Sequence, residues 1–387
     1  MGAGGNLRVG MVAGEASGDL LGGHLLGALR ARRPGIEAAG IGGPRMVEQG
    51  FVSRLPMEKL SVRGYAELLG HFTELVGIRR RLVSELLEAR PDAFIGIDSS
   101  GFNLGLERRL REAGIPSLHY VSPSIWASRG WRIKEIARSV DHILVLFPFE
   151  EPLYRKAGIP VTYVGHPLAD VIPLKPKKDD ARAQLRLPGG KLIVALLPGS
   201  RRSELKYMAA LFVQTAHRFR QKVPNVHFVC PTITRETRDL FELELYRQER
   251  HDLPLTLLFG HSHEALEAAD LALVASGTAT LEAALCKTPM VITYRQSAVP
   301  WTILKSLFYL PYVGLPNVLA GEFLVPELLQ DRATPAGLAE ALLDLLRDTA
   351  GQKKQVARFY EFHELLRQNT ADKAAEAVLG VIEKNRR

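Results

Sequence analysis

The 387-residue sequence predicts an α/β protein of two domains facing a shared cleft, each domain built on a parallel sheet. First, short apolar, β-branched runs alternate with longer amphipathic runs, which is typical of a parallel sheet with helices on both faces. Second, two apolar strands, 7–13 and 191–197, each lead into a small-residue turn and then a helical pattern. Third, domains usually contain about 100–200 residues, so a chain of this length predicts two of them.

In the first half of the chain, the alternation resolves into six predicted strands and four predicted helices. The strands are short and apolar, whereas the helices carry apolar residues on one face. The predicted strands are 8–13, 36–40, 93–97, 117–121, 142–147 and 161–164, and the predicted helices are 19–32, 66–89, 103–113 and 150–156.

The second half repeats the pattern and ends in helices. A charged, Pro-rich stretch from Pro173 to Gly190 is typical of an inter-domain connection, so we place the domains at 1–172 and 173–355. From about Pro335 the pattern is helical to the end of the chain. The predicted strands are 192–197, 226–230, 255–258, 271–275 and 290–294.

The composition is that of a folded protein with a basic surface, which either binds an anionic partner or is simply solvated. Hydrophobic residues make up 46% of the chain and charged residues 24%, while 50 Lys and Arg against 42 Asp and Glu leave a net charge of +8. A basic protein favours nucleic acid, acidic lipid or a phosphorylated substrate. No basic ribbon interleaved with aromatic residues is present, so nucleic acid ranks last.

Cysteine usage and hydropathy predict a reduced, cytoplasmic protein. Cys230 and Cys286 are the two cysteines, and their spacing matches neither a disulfide framework nor a zinc site. The N-terminus has no long apolar segment of the kind found in signal peptides. The longest uncharged run, 306–321, contains Pro and Gly and is too short for a spanning helix.

Two strand ends in the second half predict a nucleotide diphosphate site. In parallel α/β sheets, ligands bind beyond the carboxyl ends of the strands, where helix N-termini offer free amides. An arginine there neutralises a diphosphate through a bidentate contact, and a carboxylate accepts hydrogen bonds from ribose hydroxyls. The alternative is that the polar residues only cap helices. The predicted diphosphate ligands are Gly199, Ser200, Arg201, Ser276, Gly277 and Thr278, with Glu282 on the ribose.

The familiar phosphate and metal motifs are missing from the sequence. Neither G-x-G-x-x-G after the first strand nor G-x-x-x-x-G-K-[ST] occurs, which disfavours dinucleotide and P-loop sites. No two aspartates flank a single residue, a pattern with which many sugar transferases hold a divalent ion. We therefore expect a reaction without metal, in which Arg201 and helix N-termini stabilise the leaving diphosphate.

Asp98 is the candidate general base of the first half. It follows the strand AFIGI, and a carboxylate at that position is suited to take a proton from an acceptor hydroxyl. Its alternative role is to cap the following helix. Glu15, Asp19, His119 and His166 compete for the same function.

Two stretches have the pattern of membrane-contacting surfaces. Between Tyr65 and Arg81, apolar residues recur at helical spacing ahead of three arginines, and residues 301–313 contain four aromatic side chains around Lys305. A helix packed on a core shows the same spacing, so this alternative stays open. The predicted membrane contacts are Leu68, Leu69, Phe72, Trp301 and Phe308.

Nine ordered segments resemble the lipid-A-disaccharide synthase family over nearly the whole chain. Together they are far more specific than any one of them. They are AGEASGDLLGG (13–23), GIGGPRM (40–46), IGIDSSGFN (95–103), HYVSPSIWA (119–127), VGHPLAD (164–170), LPGSRRSE (197–204), ASGTATLEAAL (275–285), LPNVLA (315–320) and VPELLQ (325–330).

The resemblance implies a GT-B glycosyltransferase of two Rossmann-like domains that needs no cofactor. Such an enzyme transfers 2,3-diacylglucosamine from its UDP derivative to 2,3-diacylglucosamine 1-phosphate, which forms a β-1,6-linked disaccharide and releases UDP. The configuration inverts, so a single displacement suffices. The resemblance also implies a cytoplasmic protein peripherally associated with the inner membrane, whose last helices, 356–387, join the first domain.

The matching motifs also carry roles for individual residues. Asp98 is implied as the base, and the residues after the two strand ends are implied as ligands of UDP. At position 128, where relatives commonly have a second tryptophan, this chain has Ser128, which puts the acyl-chain preference in doubt. Asn317 is implied as a further donor contact, and Gly14, Glu15, Ser17, Asp19 and Ser122 are implied on the acceptor side.

Two other functions share the architecture. A hydrolysing UDP-N-acetylglucosamine epimerase has the same two domains and UDP site, but it would leave the apolar stretches without a purpose. A UDP-sugar- or lipid-binding protein without catalysis would bind UDP with or without the Asp98 carboxylate.

Overall fold

The computed structural model describes residues 6–60, 68–127, 130–296 and 310–386, with backbone alone for 68–72. The chain divides into two compact units. One contains Met1–Asp170 together with Leu366–Arg387, and the other contains Val171–Leu365. Each unit has its own parallel sheet and hydrophobic core.

The first unit contains a seven-stranded parallel sheet in the order β3-β2-β1-β4-β5-β6-β7. The central strands β1 and β4 are apolar and buried almost throughout, as expected where helices cover both faces. The strands are Arg8–Ala13 (β1), Glu37–Ile41 (β2), Val52–Leu55 (β3), Ala93–Ile97 (β4), Ser117–Tyr120 (β5), His142–Val145 (β6) and Val161–Tyr163 (β7).

Helices follow the strands of this sheet, and the last helix of the chain completes its core. Thr370–Arg386 packs on Ala16–Arg32, where Val378 and Ile382 are buried in the same cluster as Leu25. The α-helices of this part are Ala16–Arg32 (α1), Pro44–Glu48 (α2), Leu68–Ala89 (α3), Ser100–Glu112 (α4), Ile133–Ser139 (α5), Glu151–Lys156 (α6), Pro167–Val171 (α7) and Thr370–Arg386 (α16).

The second unit contains a six-stranded parallel sheet in the order β10-β9-β8-β11-β12-β13. Its strands are Leu192–Leu197 (β8), Val226–Thr232 (β9), Leu255–Phe259 (β10), Leu271–Ala275 (β11), Met290–Tyr294 (β12) and Glu327–Leu329 (β13). Its α-helices, within the described ranges, are Lys178–Gln184 (α8), Arg202–Lys222 (α9), Arg235–Arg247 (α10), Ser262–Ala268 (α11), Thr278–Leu285 (α12), Leu315–Ala320 (α13), Pro335–Arg347 (α14) and Thr349–Leu366 (α15).

The predicted strands are all present within two residues of their expected ends, and two strands were missed. Both β3 (VSRL) and β13 (ELL) are short edge strands, and neither contains a continuous apolar run long enough to be recognised. Two helices also begin earlier than predicted, α1 at Ala16 and α4 at Ser100. Their first turns consist mostly of small residues, so the hydrophobic periodicity that predicts a helix is absent there.

Candidate functional site

A cavity of about 320 Å³ opens at the carboxyl ends of four neighbouring strands of the second unit. Residues that follow β8 and β11 line it, as the sequence predicts, and residues that follow β9 and β10 line it too. This edge is where parallel α/β sheets bind their ligands. The predicted residues that it brings together are Gly199, Ser200, Arg201, Ser276, Gly277, Thr278 and Glu282.

In the turn after β8, the amides of Ser200 and Arg201 are already bonded, and Arg201 belongs to the cavity lining. Glu204 Oε2 accepts hydrogen bonds from the amides of Ser200, at 2.9 Å, and Arg201, at 3.2 Å. The expectation that the Ser200 amide contributes to a phosphate cradle is therefore corrected, because Glu204 caps this turn. The Arg201 guanidinium lines the cavity and forms no ion pair with an acid in the described ranges.

The turn after β11 keeps its helix N-terminus open towards the cavity. Helix α12 begins at Thr278, and the first amides of a helix have no intrahelical acceptor. Gly277 has φ of +154°, a conformation that side chains disfavour, and an added Cβ would meet nothing within 4 Å. The Ser276 amide is already bonded to the carbonyl of Thr293 at 2.9 Å. At the start of α12 the Thr280 amide is bonded to the carbonyl of Gly277 at 3.1 Å, which leaves the amides of Thr278 and Ala279 available to an anion.

Glu282 lies on α12 and is paired with residues that follow β10. His263 Nε2 is 3.5 Å from Glu282 Oε2, and the Ser262 hydroxyl is also 3.5 Å from that oxygen. The hydrogen bond between His263 and Glu282 raises the pKa of His263 above the usual value, although burial of His263 acts in the opposite direction. The contacts with His263 and Ser262 orient the part-exposed Glu282 carboxylate beside the cavity.

Sequence reasoning missed the cavity residues at the carboxyl ends of β9 and β10. They include Pro231, Ile233, Gly260 and Ser262. The sequence could have indicated these residues, since each lies within four residues of a predicted strand end. None of them is charged, so no basic or acidic side chain marked these four positions as candidate ligands.

Asn317 is not among the residues that line this cavity. Its side chain is fully buried, where it donates to the carbonyl of Val325 at 2.9 Å and to Glu327 at 2.7 Å. Its oxygen accepts from the Val325 amide at 2.8 Å. These bonds use its amide group to join α13 to the segment before β13.

Asp98 lies at the carboxyl end of β4 in a left-handed turn. Both Asp98, with φ of +52°, and Ser99, with φ of +40°, have a backbone conformation that is uncommon for residues other than glycine. The Asp98 side chain is partly exposed, and no donor within the described ranges is hydrogen-bonded to its carboxylate. The carboxylate is thus available to a substrate hydroxyl.

Two buried contacts hold this turn. The Asn103 side chain donates to the carbonyls of Asp98 at 3.0 Å, Ile97 at 3.3 Å and Val12 at 3.4 Å. The turn that follows β1 approaches closely, since a Cβ added at Gly14 would lie 2.6 Å from the Ser99 hydroxyl. The two predicted functional turns of the first unit are therefore in contact.

The residues expected on the acceptor side have different environments. Glu15 and Ser17 are exposed where α1 begins. Asp19 is buried instead, and its carboxylate accepts from the amides of Gly43 at 2.8 Å, Arg45 at 2.9 Å and Met46 at 3.1 Å. The candidacy of Asp19 as a base is corrected, because its carboxylate caps α2.

Ser122 belongs to a buried polar cluster. Its hydroxyl is 2.8 Å from the hydroxyl of Tyr154 and also hydrogen-bonds Glu150. Burial raises the pKa of Glu150 to about 7. This cluster anchors the segment that follows β5.

The two histidine rivals of Asp98 are buried. His119 Nδ1 is 2.7 Å from Glu107 Oε1, both side chains are fully buried, and burial raises the pKa of Glu107. His166 is also buried, and its Nδ1 accepts from the Leu168 amide at 3.3 Å. Their burial explains why a position near a strand end does not by itself make a histidine accessible to substrate.

The predicted membrane contacts fall outside the part of the chain whose side chains are described. Trp301 and Phe308 lie in the range 297–309, and Leu68, Leu69 and Phe72 lie where the backbone alone is given. Among the described residues, no helix has the length and apolar character needed to cross a bilayer. In the same residues, no three His, Cys, Asp or Glu side chains are grouped as metal ligands, and Cys230 and Cys286 are free and buried.

Comparison with known proteins identifies a family. A family model described as lipid-A-disaccharide synthetase matches residues 9–381. Among curated proteins, the lipid-A-disaccharide synthase of Methylobacillus flagellatus is 54% identical over 374 residues, which cover 97% of this chain and 99% of that protein.

Solved structures support the fold. The UDP-GlcNAc 2-epimerase of Neisseria meningitidis, solved with UDP-GlcNAc bound, has a TM-score of 0.61 at 12% identity and covers 98% of this chain and 99% of its own. Acinetobacter baumannii MurG has a TM-score of 0.56 at 15% identity, and the match covers 98% of this chain and 99% of MurG. The predicted fold class, α/β with two Rossmann-like sheets of GT-B type, is confirmed.

Proposed function

The chain belongs to the lipid-A-disaccharide synthase family, and from that premise we propose which of its residues carry the reaction. It is a glycosyltransferase, and its reaction joins two acylated glucosamine units with release of UDP. The donor is UDP-2,3-diacylglucosamine and the acceptor is 2,3-diacylglucosamine 1-phosphate. The observation that carries the assignment is the cavity at the carboxyl edge of the second sheet, where Arg201, the start of α12 and Glu282 come together.

The donor's diphosphate binds at the start of α12 and against Arg201. Amides at a helix N-terminus and a guanidinium both favour negative charge, and the charge on the diphosphate grows as the glycosidic bond breaks. Glu282, held by Ser262 and His263, accepts hydrogen bonds from the ribose hydroxyls. This cavity binds UDP and stabilises it as a leaving group.

Asp98 acts as the general base in a single displacement. Its carboxylate takes the proton of the acceptor's 6-hydroxyl, and the oxygen attacks the anomeric carbon of the donor as the bond to UDP breaks. The α-linked donor then gives a β-1,6-linked disaccharide 1-phosphate. The carboxylate is unpaired among the described residues and partly exposed, as a base that meets a substrate hydroxyl requires.

The substrates' acyl chains place this reaction at a membrane surface. We assign the protein to the cytoplasmic face of the inner membrane as a peripheral protein. The amphipathic pattern of 65–81, the aromatic residues of 301–313 and the net charge of +8 support this assignment. Anionic lipid attracts each nearby basic residue by about 1 kcal/mol.

The test is UDP release from UDP-2,3-diacylglucosamine, measured with and without 2,3-diacylglucosamine 1-phosphate in the presence of a chelator. We expect release that requires the acceptor and persists with the chelator. Release without acceptor would indicate a hydrolysing enzyme, and loss of release with the chelator would contradict the metal-independent mechanism. UDP binding without any release would indicate a binding protein.

A further inference from the structure

An open cavity of about 780 Å³ lies between helices α3 and α4 of the first unit. Arg79 and Arg80 line it from α3, and Arg108 and Arg109 line it from α4. Glu112 is the one acidic residue among its lining residues in the described part of the chain. The cavity is therefore strongly positive, and none of the residues assigned to the transfer reaction lies in it.

Most of this charge is not neutralised by the protein. Arg108 Nε is 2.9 Å from Glu112 Oε1, whereas Arg79, Arg80 and Arg109 form no ion pair within the described ranges. Like charges held close together repel, so a bound anion would lower the energy of this arrangement. The half-buried Arg79 guanidinium lies 6.0 Å from the ring centroid of Phe102, which helps to fix its position.

The cavity's chemistry selects a phosphate attached to an organic body. Guanidinium groups bind phosphate oxygens through paired hydrogen bonds. A volume of about 780 Å³ is within the range of sites for organic ligands and exceeds the needs of a free phosphate ion. Val76 and Val83 line the same cavity and offer apolar contact to the carbon skeleton beside the phosphate.

We propose that this cavity binds the phosphate of an anionic phospholipid headgroup, an inference that rests on the peripheral membrane contact proposed above. The same helix carries the predicted membrane residues Leu68, Leu69 and Phe72. Phe72 and Arg79 are seven residues apart, about 10 Å along a helix. A helix that inserts its apolar residues at the acyl boundary then holds its arginines near the phosphate layer, which is where a headgroup is captured.

The test compares vesicle binding of the wild type with two double variants of equal charge. Arg80→Gln/Arg109→Gln removes two exposed cavity arginines that have no acidic partner in the described residues. The control, Arg81→Gln/Arg138→Gln, removes two exposed arginines of the same unit that do not line the cavity. Vesicles are phosphatidylcholine mixed with phosphatidylglycerol, or with oleate at the same surface charge.

We expect the wild type to bind phosphatidylglycerol vesicles more tightly than oleate vesicles. The cavity variant should lose about tenfold in affinity for phosphatidylglycerol, whereas the control should lose less than about threefold, because a bound phosphate contributes more than diffuse attraction. Glycerol 3-phosphate at high concentration should compete with phosphatidylglycerol vesicles for binding to the wild type. It should not affect vesicle binding by the cavity variant. Turnover of micellar substrates should be unchanged in both variants.

Each of the following results would overturn the inference. Equal losses in the two variants, or equal binding to both vesicle types, would show diffuse electrostatics and would leave the membrane contact intact. Binding of inorganic phosphate without preference for phosphatidylglycerol would assign the site to a free anion. If the cavity variant had a raised KM for the acceptor in phospholipid-free micelles, the cavity would be a binding site for the substrate phosphate. A wild type that binds no vesicles would instead remove the membrane contact itself.

Discussion

Asn103 donates a hydrogen bond from its side-chain amide to the carbonyl oxygen of Asp98 at 3.0 Å. The same nitrogen contacts the carbonyl of Ile97 at 3.3 Å, and the side chain is fully buried. Two successive left-handed residues, Asp98 and Ser99, cost on the order of 1–2 kcal/mol each, so the surrounding contacts must hold them. Asn103 is thus a positioning residue for the candidate base.

Asn103→Ala should lower kcat at least about tenfold and leave the Kd of UDP unchanged. The substitution frees the Asp98 turn without touching the donor cavity, which lies in the other unit. It should also destabilise the protein by about 1–3 kcal/mol, because buried carbonyls lose their donor. Steady-state kinetics and calorimetric UDP titration, run at a temperature where the variant is folded by circular dichroism, check both.

The matched control for Asn103 is Asn385→Ala. Asn385 also donates to a backbone carbonyl, that of Val381 at 2.9 Å, but it is exposed near the end of α16. Its kcat should stay within about twofold of the wild type. A kcat that survives in Asn103→Ala would show that the turn holds Asp98 without this bond.

Asp98→Asn should reduce turnover by about 100-fold or more while UDP still binds. Asparagine has the same shape but cannot take the proton of the acceptor hydroxyl, and general bases contribute about 10²–10⁴-fold. Glu15→Gln is the comparison, since Glu15 is the exposed carboxylate of the neighbouring turn. If Glu15→Gln abolishes turnover and Asp98→Asn does not, the base is Glu15.

Arg201→Ala should weaken UDP binding about tenfold to 100-fold and leave uridine binding nearly unchanged. Charge-assisted hydrogen bonds are worth about 1.5–3 kcal/mol, and uridine has no phosphate to contact. The neighbouring Arg202 provides the control, because it pairs with Glu236 at 3.2 Å and does not line the cavity. Calorimetric titration of both ligands checks this, and equal loss in Arg202→Ala would contradict a specific diphosphate contact.

The pair of His263 and Glu282 should make stability depend on pH in a defined direction. The pKa of His263 is raised in the folded protein, so the pair's contribution is fully present below the unfolded value of about 6.5. It is lost as the pH rises through the folded pKa. An NMR titration of the His263 ring should show a raised pKa in the wild type and a lower one in Glu282→Gln.

Thermal unfolding of the same two proteins across this pH range gives the second measurement. The wild type should unfold at a higher temperature than Glu282→Gln below pH 6.5. This difference should disappear as the pH rises above the folded pKa of His263. His251→Gln, a change at an exposed histidine without an acidic partner in the described residues, should leave that difference unchanged. An unaltered His263 titration in Glu282→Gln would show that the pair does not set its pKa.

The elements that position the site could be predicted from the sequence because their signal is local. The strands β1, β4, β8 and β11 are continuous apolar runs, and each leads directly into a turn of small or polar residues. The carboxyl ends of parallel strands share one edge of a sheet, so the sequence predicts that Arg201 and Thr278 come together. Both residues line the cavity at the carboxyl edge of the second sheet.

By itself, then, the sequence determined the α/β class, the strands and the motifs of the family. The tertiary structure alone decided which polar groups remain available to a ligand. Asp19 caps a helix more than twenty residues away, His119 is buried against Glu107, and Glu204 accepts hydrogen bonds from two of the amides after β8. It also decided that α3 and α4 bring their arginines to one cavity. A polar side chain's partner often lies on a segment that is distant in sequence and is brought close only by packing. Hydrophobic periodicity along the chain therefore cannot predict that partner.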